Sequence, residues 1–498
     1  MYLASITVPS YTPAHAWHDL QQIAPIAILT IAILVGLIAD LVVGRRRAGS
    51  LVASIAVVAY VLALAVTCLR WAGYGPRGEA YYGFATGSRY ALYFEAFFSI
   101  LGILTVLVSE PYLRRRRFVR PEFHVLTLAA ITGMMALAAS TSLVTIFISL
   151  ETFSVALYVL SSYSRRETGS QESGAKYLLV GGFASAFILY GMALIYGATG
   201  TTQIDAIRQQ VGQIGPHDPL LILGVILMGV GFAYKISGAP FHQWTPDVYQ
   251  GAPLPVTTFM SVGTKAAAFA MILTVFGDGL SHISGEWQAL LAFVAVCSLV
   301  VGNLGALVQP SLKRMLAYSG IAQAGYVLVG VVAGGSQGYA AVLFYLTAYL
   351  FMNFGAFAVL TALSGGEADC DRFTDLDGLG QRHPALALLL TVLMLSLGGF
   401  PPTVGFIGKF FLFSAAVAQG WTWLVIIAAL ASVVSVAYYV RVIVHVYTPA
   451  RGRREMPQSG LAVATVVVSA VLVVALGIYP AVLFAGSILG ANPVLASH

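Results

Sequence analysis

Charge is what this chain has least of. Only 9% of its 498 residues are Asp, Glu, Lys or Arg, while 58% are hydrophobic. No ordinary soluble domain is so apolar. Cysteine is almost missing. Cys68 and Cys297 fall in apolar segments and Cys370 in an acidic loop, without metal or disulfide spacing. The first 20 residues hold no Lys or Arg, so the basic flank of a cleavable signal peptide is absent. There is no phosphate-cradling glycine loop, haem-attachment motif, G-x-S-x-G elbow or H-E-x-x-H pair. These absences argue against an intramembrane protease or acyltransferase, and against a nucleotide or metal site.

What is present are apolar runs, most of them near the ~20 residues that span a hydrocarbon core. They predict an all-α polytopic membrane protein of about 14 helices, near 21–43, 51–71, 91–109, 121–139, 141–163, 174–198, 219–249, 253–277, 287–308, 312–333, 337–364, 384–419, 421–447 and 461–488. The 51 glycines are scattered through these runs, as close helix packing in lipid favours. Basic residues set the orientation. Loops after odd-numbered helices carry 18 of them, from Arg45 to Arg454, whereas loops after even-numbered helices carry only Arg70, Arg77, Arg89 and Arg208. Both termini are therefore expected on the non-cytoplasmic side. The formal net charge of +6 is read as this topology signal, with no nucleic-acid partner implied. Arg441, toward one end of its span, is expected to snorkel to the interface.

Two spans are long and interrupted. The seventh breaks at Gly238 and Pro240, the twelfth at Gly398, Gly399, Pro401 and Pro402. Proline removes a backbone donor and crowds the preceding turn. At membrane depth the freed carbonyls must face protein or water. The breaks lie five spans apart, and an odd offset inverts one set of helices relative to the other. The expected organisation is a three-helix segment at 1–120, inverted repeats at 121–277 and 287–447, and a C-terminal helix within 448–498. Broken helices at matching positions of inverted repeats point at the working site of a transporter.

Four charges sit inside these spans: Glu151, Lys235, Lys265 and Lys409. Each costs about 2.5–3.5 kcal/mol at the centre of a membrane helix. One carboxylate cannot pair three lysines, which weakens a purely structural explanation. Glu151 and Lys235 are expected to form a coupled pair, and the four together a lateral row along which protons hop through ordered water. His242, beyond the first break, is either a relay or a cap on the broken helix. Lys176 and Lys313 start helices and are expected to anchor at the interface or to touch a half-channel entrance; Glu95 is expected at the interface. The stripe Tyr318, Ser319, Gln323 and Tyr326 orders water or bridges helices.

The segments SLETFSVALYVL, GFAYKISGAPFHQWTPDVYQGAPLPVTTFMSVGTKAAAFA, SLKRMLAYSGIAQAGY and FPPTVGFIGKFFLF resemble the antiporter-like membrane subunits of respiratory complex I, the N type in particular. The likeness runs from about residue 21 to 490. It implies a proton-translocating subunit of a bacterial inner-membrane NADH:quinone oxidoreductase, a translocase that couples quinone reduction to pumping. Glu151 and Lys235 match the family's pair, Lys265 its connecting lysine, Lys409 its exit residue and His242 a frequent histidine. NADH, flavin, iron–sulfur clusters and quinone are expected in other subunits, with none in this chain. Sibling antiporter-like subunits and the lipid bilayer are the expected partners. One departure stands out: many relatives have histidine where this chain has Gln323, which cannot titrate. The alternative is a subunit of a cation/proton antiporter complex of the same fold; a bare structural scaffold is a further rival.

Overall fold

The computed structural model describes residues 13–43, 45–73, 78–116, 120–364, 369–449 and 459–491. Arg77, Arg117, Arg451, Arg453 and Arg454 of the charge count lie outside them, as do the side chains of Arg45, Arg46 and Arg47.

The helices are α1 (Pro13–Gln22), α2 (Ala24–Val43), α3 (Arg45–Trp71), α4 (Arg89–Arg115), α5 (Pro121–Ala138), α6 (Leu143–Ser161), α7 (Thr168–Thr199), α8 (Ile204–Ile214), α9 (Pro219–Lys235) and α10 (Trp244–Gly251). They continue as α11 (Leu254–Ile272), α12 (Ser284–Leu307), α13 (Leu312–Ala333), α14 (Gly335–Leu363), α15 (Leu379–Arg382), α16 (Pro384–Gly398), α17 (Val404–Ala418), α18 (Thr422–Tyr447), α19 (Gly460–Ile478) and α20 (Ala481–Ala491). The only strands among the described residues, Glu79–Ala80 and Ala85–Thr86, pair as a small hairpin inside the 72–90 connection.

Twelve of the described helical segments are long and apolar enough to cross a membrane. The two interrupted spans, α9 with α10 and α16 with α17, bring the number to the expected 14. The last span differs from expectation: Pro480 separates α19 from α20, because proline cannot continue the hydrogen-bond ladder. Helix starts follow local chemistry. Asp218 accepts the Leu221 amide ahead of Pro219 at the first helical position, and Ser88 and Ser311 cap α4 and α13 in the same way.

The core runs through α11, α13 and α14. The most apolar stretch of each is 94% buried in protein, compared with 22% for α2 and 33% for α18. A helix apolar on all sides belongs inside a bundle. The end of α11 widens into a π-helical turn, Leu273–Gly279.

Both expected breaks are present. After Lys235, the last residue of α9, the chain turns through Ser237 at φ 64° and a cis Ala239–Pro240 bond. The Ser298 hydroxyl accepts the freed Ala239 amide at 2.9 Å. After α16 it turns through Gly399 at φ 87° and a cis Pro401–Pro402 bond. A Cβ at Gly399 would stand 3.1 Å from Cδ of Lys409, so this position needs glycine both for its left-handed backbone and for space.

Candidate functional site

The first station lies between α6, α7 and α9. Glu151 is partly buried and accepts a hydrogen bond from the Ser185 hydroxyl at 2.5 Å. Lys235, 5% exposed, donates to the Ser154 hydroxyl at 3.0 Å. Ser154 follows Glu151 by three residues and therefore shares its helix face. Among the described residues no ion pair within 4.0 Å joins Glu151 to Lys235. The two charges thus make no direct ion pair and each rests on its own serine, while Lys235 still feels the Glu151 charge through space. Lys235 also occupies the last position of α9, where the helix dipole favours a cation.

The second station is Lys265 on α11, 2% exposed. Its ammonium donates to the Tyr249 hydroxyl at 3.2 Å and lies 5.4 Å from that ring's centre. It approaches α13 at Gly320, where a Cβ would sit 3.3 Å from Nζ of Lys265 and 3.1 Å from the Tyr349 hydroxyl. Aromatic rings fill the interval from the first station. Tyr158 packs edge-on against Tyr177, Tyr177 stacks on Trp244 at 4.7 Å, and Trp244 meets Tyr249 at 6.5 Å.

Beyond Lys265 lies a buried polar cluster on α13, α14 and α18. The Ser319 and Tyr439 hydroxyls are 2.5 Å apart. Gln323 donates to the Tyr439 hydroxyl at 3.1 Å and to the Leu397 carbonyl at 3.2 Å, and accepts from the Tyr345 hydroxyl. Lys409, 4% exposed, donates to the same Leu397 carbonyl at 3.4 Å, to that of Gly398 at 3.2 Å and to the Ser432 hydroxyl at 2.8 Å. Its ammonium stands 4.5 Å from the centre of the Tyr326 ring. Lys235 and Lys409 therefore reach equivalent places by different routes. One ends the first limb of a broken helix; the other, on the second limb, reaches back to carbonyls at the end of the first. A cleft of about 630 Å³, lined by Phe406, Phe410 and Ser432 among others, opens beside Lys409.

Along this row the Tyr234 and Tyr349 hydroxyls and Oδ1 of Asn353 are buried with no hydrogen-bond partner among the described residues. Buried polar atoms in that state are normally satisfied by ordered water. A hydrated interior is therefore favoured over a dry one.

His242 stands apart. Among the described residues no hydrogen bond links it to the four charges; its Nδ1 is buried and unpartnered, and its ring lies 6.2 Å from that of Tyr318. The stripe on α13 divides: Ser319 and Gln323 join the row, Tyr326 touches Lys409, and Tyr318 packs where a Gly305 side chain would be. Arg441 caps the α12 end through the Leu307 and Gln309 carbonyls and lies 4.0 Å over Phe373, as an interfacial residue does.

Glu95, expected at the interface, is fully buried in the protein, with Arg70 the opposite charge acting on it. Sequence reasoning also missed Glu110, which meets Arg114 at 2.8 Å and His124 at 3.3 Å. Lys176 and Lys313 are more than anchors. Lys176 and Arg314 clamp Asp247 on α10 at 2.9 and 2.6 Å; Lys313 and Arg116 hold Asp369 at 2.6 and 2.8 Å. Acid–base spacing in the sequence carries no hint of these cross-helix ties.

Comparison with known proteins agrees with this architecture. A family described as NADH:quinone oxidoreductase/Mrp antiporter, TM, matches residues 140–435, the stretch that holds all four buried charges. The chain is 46% identical over 376 residues to NADH-quinone oxidoreductase subunit N of Trichlorobacter lovleyi, covering 75% of this chain and 77% of that one. It is 40% identical over 463 residues to NADH-quinone oxidoreductase subunit N 2 of Rhizobium meliloti, covering 93% and 95%. Among solved structures, a chain of respiratory complex I from Thermus thermophilus with bound aureothin superposes with a TM-score of 0.79 at 34% identity, covering 93% of this chain and 98% of that one. A chain of the Mrp complex from a Dietzia species shares the fold, with a TM-score of 0.84 at 20% identity over 95% and 97%.

Proposed function

This chain belongs to the membrane-subunit family shared by NADH:quinone oxidoreductases and Mrp antiporters, and from that premise we propose that it moves protons through a buried Glu/Lys row when quinone is reduced elsewhere in the assembly. At the coarser level it is a multi-pass membrane subunit of the NADH-quinone oxidoreductase type, as its relatives are. The observation that carries the finer reading is the succession Glu151, Lys235, Lys265 and Lys409, of which Lys235 and Lys409 sit at the two helix breaks, each of the four hydrogen-bonded to a hydroxyl.

In this reading Lys235 is the switch. It is held on Ser154, which lies one helical turn from Glu151 on α6. A charge displaced in a neighbouring subunit draws Glu151 toward or away from it and changes how firmly the lysine keeps its proton. One elementary charge moved against 100 mV requires about 2.3 kcal/mol, a scale that remaking one charged hydrogen bond can supply. Lys265 passes the proton on and Lys409 delivers it at the second break. The halves 121–277 and 287–447 are taken as inverted repeats that place these breaks at one depth. The setting is the bacterial inner membrane, both termini on the non-cytoplasmic side, with antiporter-like siblings as neighbours. NADH, flavin, iron–sulfur clusters and quinone are assigned to other subunits.

Lys235→Ala and Glu151→Ala are expected to lower proton pumping in vesicles while the complex still assembles. Undiminished pumping by an assembled variant overturns the row. The Mrp-like fold favours one second reading, a cation/proton antiporter subunit driven by an ion gradient. Co-purification of flavin and iron–sulfur subunits decides for the redox complex; their absence from an intact, transporting assembly decides for the antiporter.

A further inference from the structure

The row has a gap between Lys265 on α11 and Lys409 on α17, and α13, which crosses it, offers Gln323 where a titratable side chain is needed. We propose that the Tyr439 hydroxyl, with Ser319, carries the proton across this gap, and that Gln323 is a positioning residue that orients it. The proposal rests on the proton-row reading above and deepens it.

The hydrogen bonds run unbroken from Ser319 through Tyr439 to Gln323, with Lys265 and Lys409 near the two ends. Ser319 lies next to Gly320, whose bare backbone lets the Lys265 ammonium and the Tyr349 hydroxyl come close to α13. The Ser319 and Tyr439 oxygens are 2.5 Å apart, and either can donate. Gln323 donates to the Tyr439 oxygen at 3.1 Å while its own carbonyl accepts from Tyr345. Its second donor bond, to the Leu397 carbonyl, ends on the atom that Lys409 also uses. Ser319, Gln323, Tyr345 and Tyr439 are all at most 1% exposed. Their alignment is fixed by packing across α13, α14 and α18.

A primary amide does not titrate near neutrality, so Gln323 is not itself a stop on the route. A hydroxyl needs no such titration. A proton leaving the Lys265 ammonium, through the Tyr349 hydroxyl or a water molecule, arrives on the Ser319 oxygen. The hydrogen Ser319 already carried passes to the Tyr439 oxygen, and the hydrogen of Tyr439 passes through one water to the neutral amine of Lys409. Each O–H bond broken is matched by one formed, both hydroxyls end neutral, and the charge has moved from one lysine to the other. Rotation of the two hydroxyls resets the chain. Gln323 fixes direction: by donating to Tyr439 it occupies one of that oxygen's acceptor sites and leaves the phenolic hydrogen free to point onward.

The test is Tyr439→Phe, which removes one oxygen and keeps the ring, in the assembled complex reconstituted into proteoliposomes. Pumping is expected to fall tenfold or more. Adding Gln323→His to that variant is expected to restore it, because an imidazole at 323 can take up and release a proton where the phenol no longer does. Lys265→Ala, measured in parallel, separates the levels of the argument. If Lys265→Ala still pumps, the row itself fails. If Lys265→Ala is inactive while Tyr439→Phe pumps normally, only the bridge fails. A loss in Tyr439→Phe that Gln323→His leaves unrestored assigns Tyr439 to packing and also overturns the bridge.

Discussion

Ser154 is the sharpest probe of the switch, because it can be removed without touching a charge. Its hydroxyl is the hydrogen-bond partner of Lys235, at 3.0 Å, and it shares a helix face with Glu151, which Ser185 holds separately. A hydrogen bond to a charged group contributes about 1.5–3 kcal/mol. With tenfold per 1.4 kcal/mol, Ser154→Ala shifts the balance between the Ser154-held and Glu151-paired positions of Lys235 by about 10- to 150-fold. That loss is comparable to the ~2.3 kcal/mol needed per charge against 100 mV. The variant is therefore expected to pump weakly, and to lose more of its rate than the wild type when a potential is imposed with potassium and valinomycin. Ser154→Thr keeps the oxygen and is expected to stay near wild type. The assay is NADH-driven dye quenching in inside-out vesicles, with imposed potential as the variable. Wild-type pumping by Ser154→Ala at every potential refutes the idea that Lys235 alternates between two holders.

Two other outcomes are expected. Gly399→Ala forces a Cβ into a left-handed backbone at about 1–2 kcal/mol and pushes on Lys409 from 3.1 Å; both the melting temperature of the purified complex and its pumping rate should fall. Asp369→Asn leaves Lys313 and Arg116 without their shared carboxylate, a loss of about 3–5 kcal/mol for a buried pair, measurable as earlier thermal unfolding. The pH dependence of that difference has a definite sign. Burial alone raises the Asp369 carboxyl, but Lys313, Arg116 and the Tyr112 hydroxyl outweigh it and hold it below the usual carboxylate range. Its contribution is complete above the ordinary value near ~3.9 and disappears as pH falls through the depressed native value. The gap between wild type and variant should stay constant at neutral and mildly acidic pH and close only in stronger acid.

The spans were legible because a bilayer imposes a length and forbids unpaired backbone, so composition alone marks them. The breaks were legible through Pro240 and Pro401–Pro402, since proline acts locally. What lay beyond reach was rotation of one helix against another. Nothing in the spacing of Glu151 and Lys235 says that each takes a serine as its hydrogen-bond partner, because they sit on α6 and α9. Tyr439 lies more than a hundred residues from the Ser319 and Gln323 it touches. Nothing in the six-residue spacing of Arg89 and Glu95 says that helix α4 turns Glu95 into the protein. His242, relay or cap by sequence, follows Lys235 by seven residues, and with a turn between them that spacing does not say which way its ring points; the ring lies 6.2 Å from that of Tyr318.

The near-total enclosure of α11, α13 and α14 has a further consequence. Lys265, Gln323, Tyr345 and Tyr349 all reside on these three helices, which lipid hardly touches. On the proposed route, an ion straying from its middle would first have to cross the surrounding helices, so this enclosure would insulate it against short-circuit. The same enclosure makes mutational tolerance lopsided: an outward-facing residue of α18 can drift freely, whereas α14 has no idle side on which a larger residue could be accommodated.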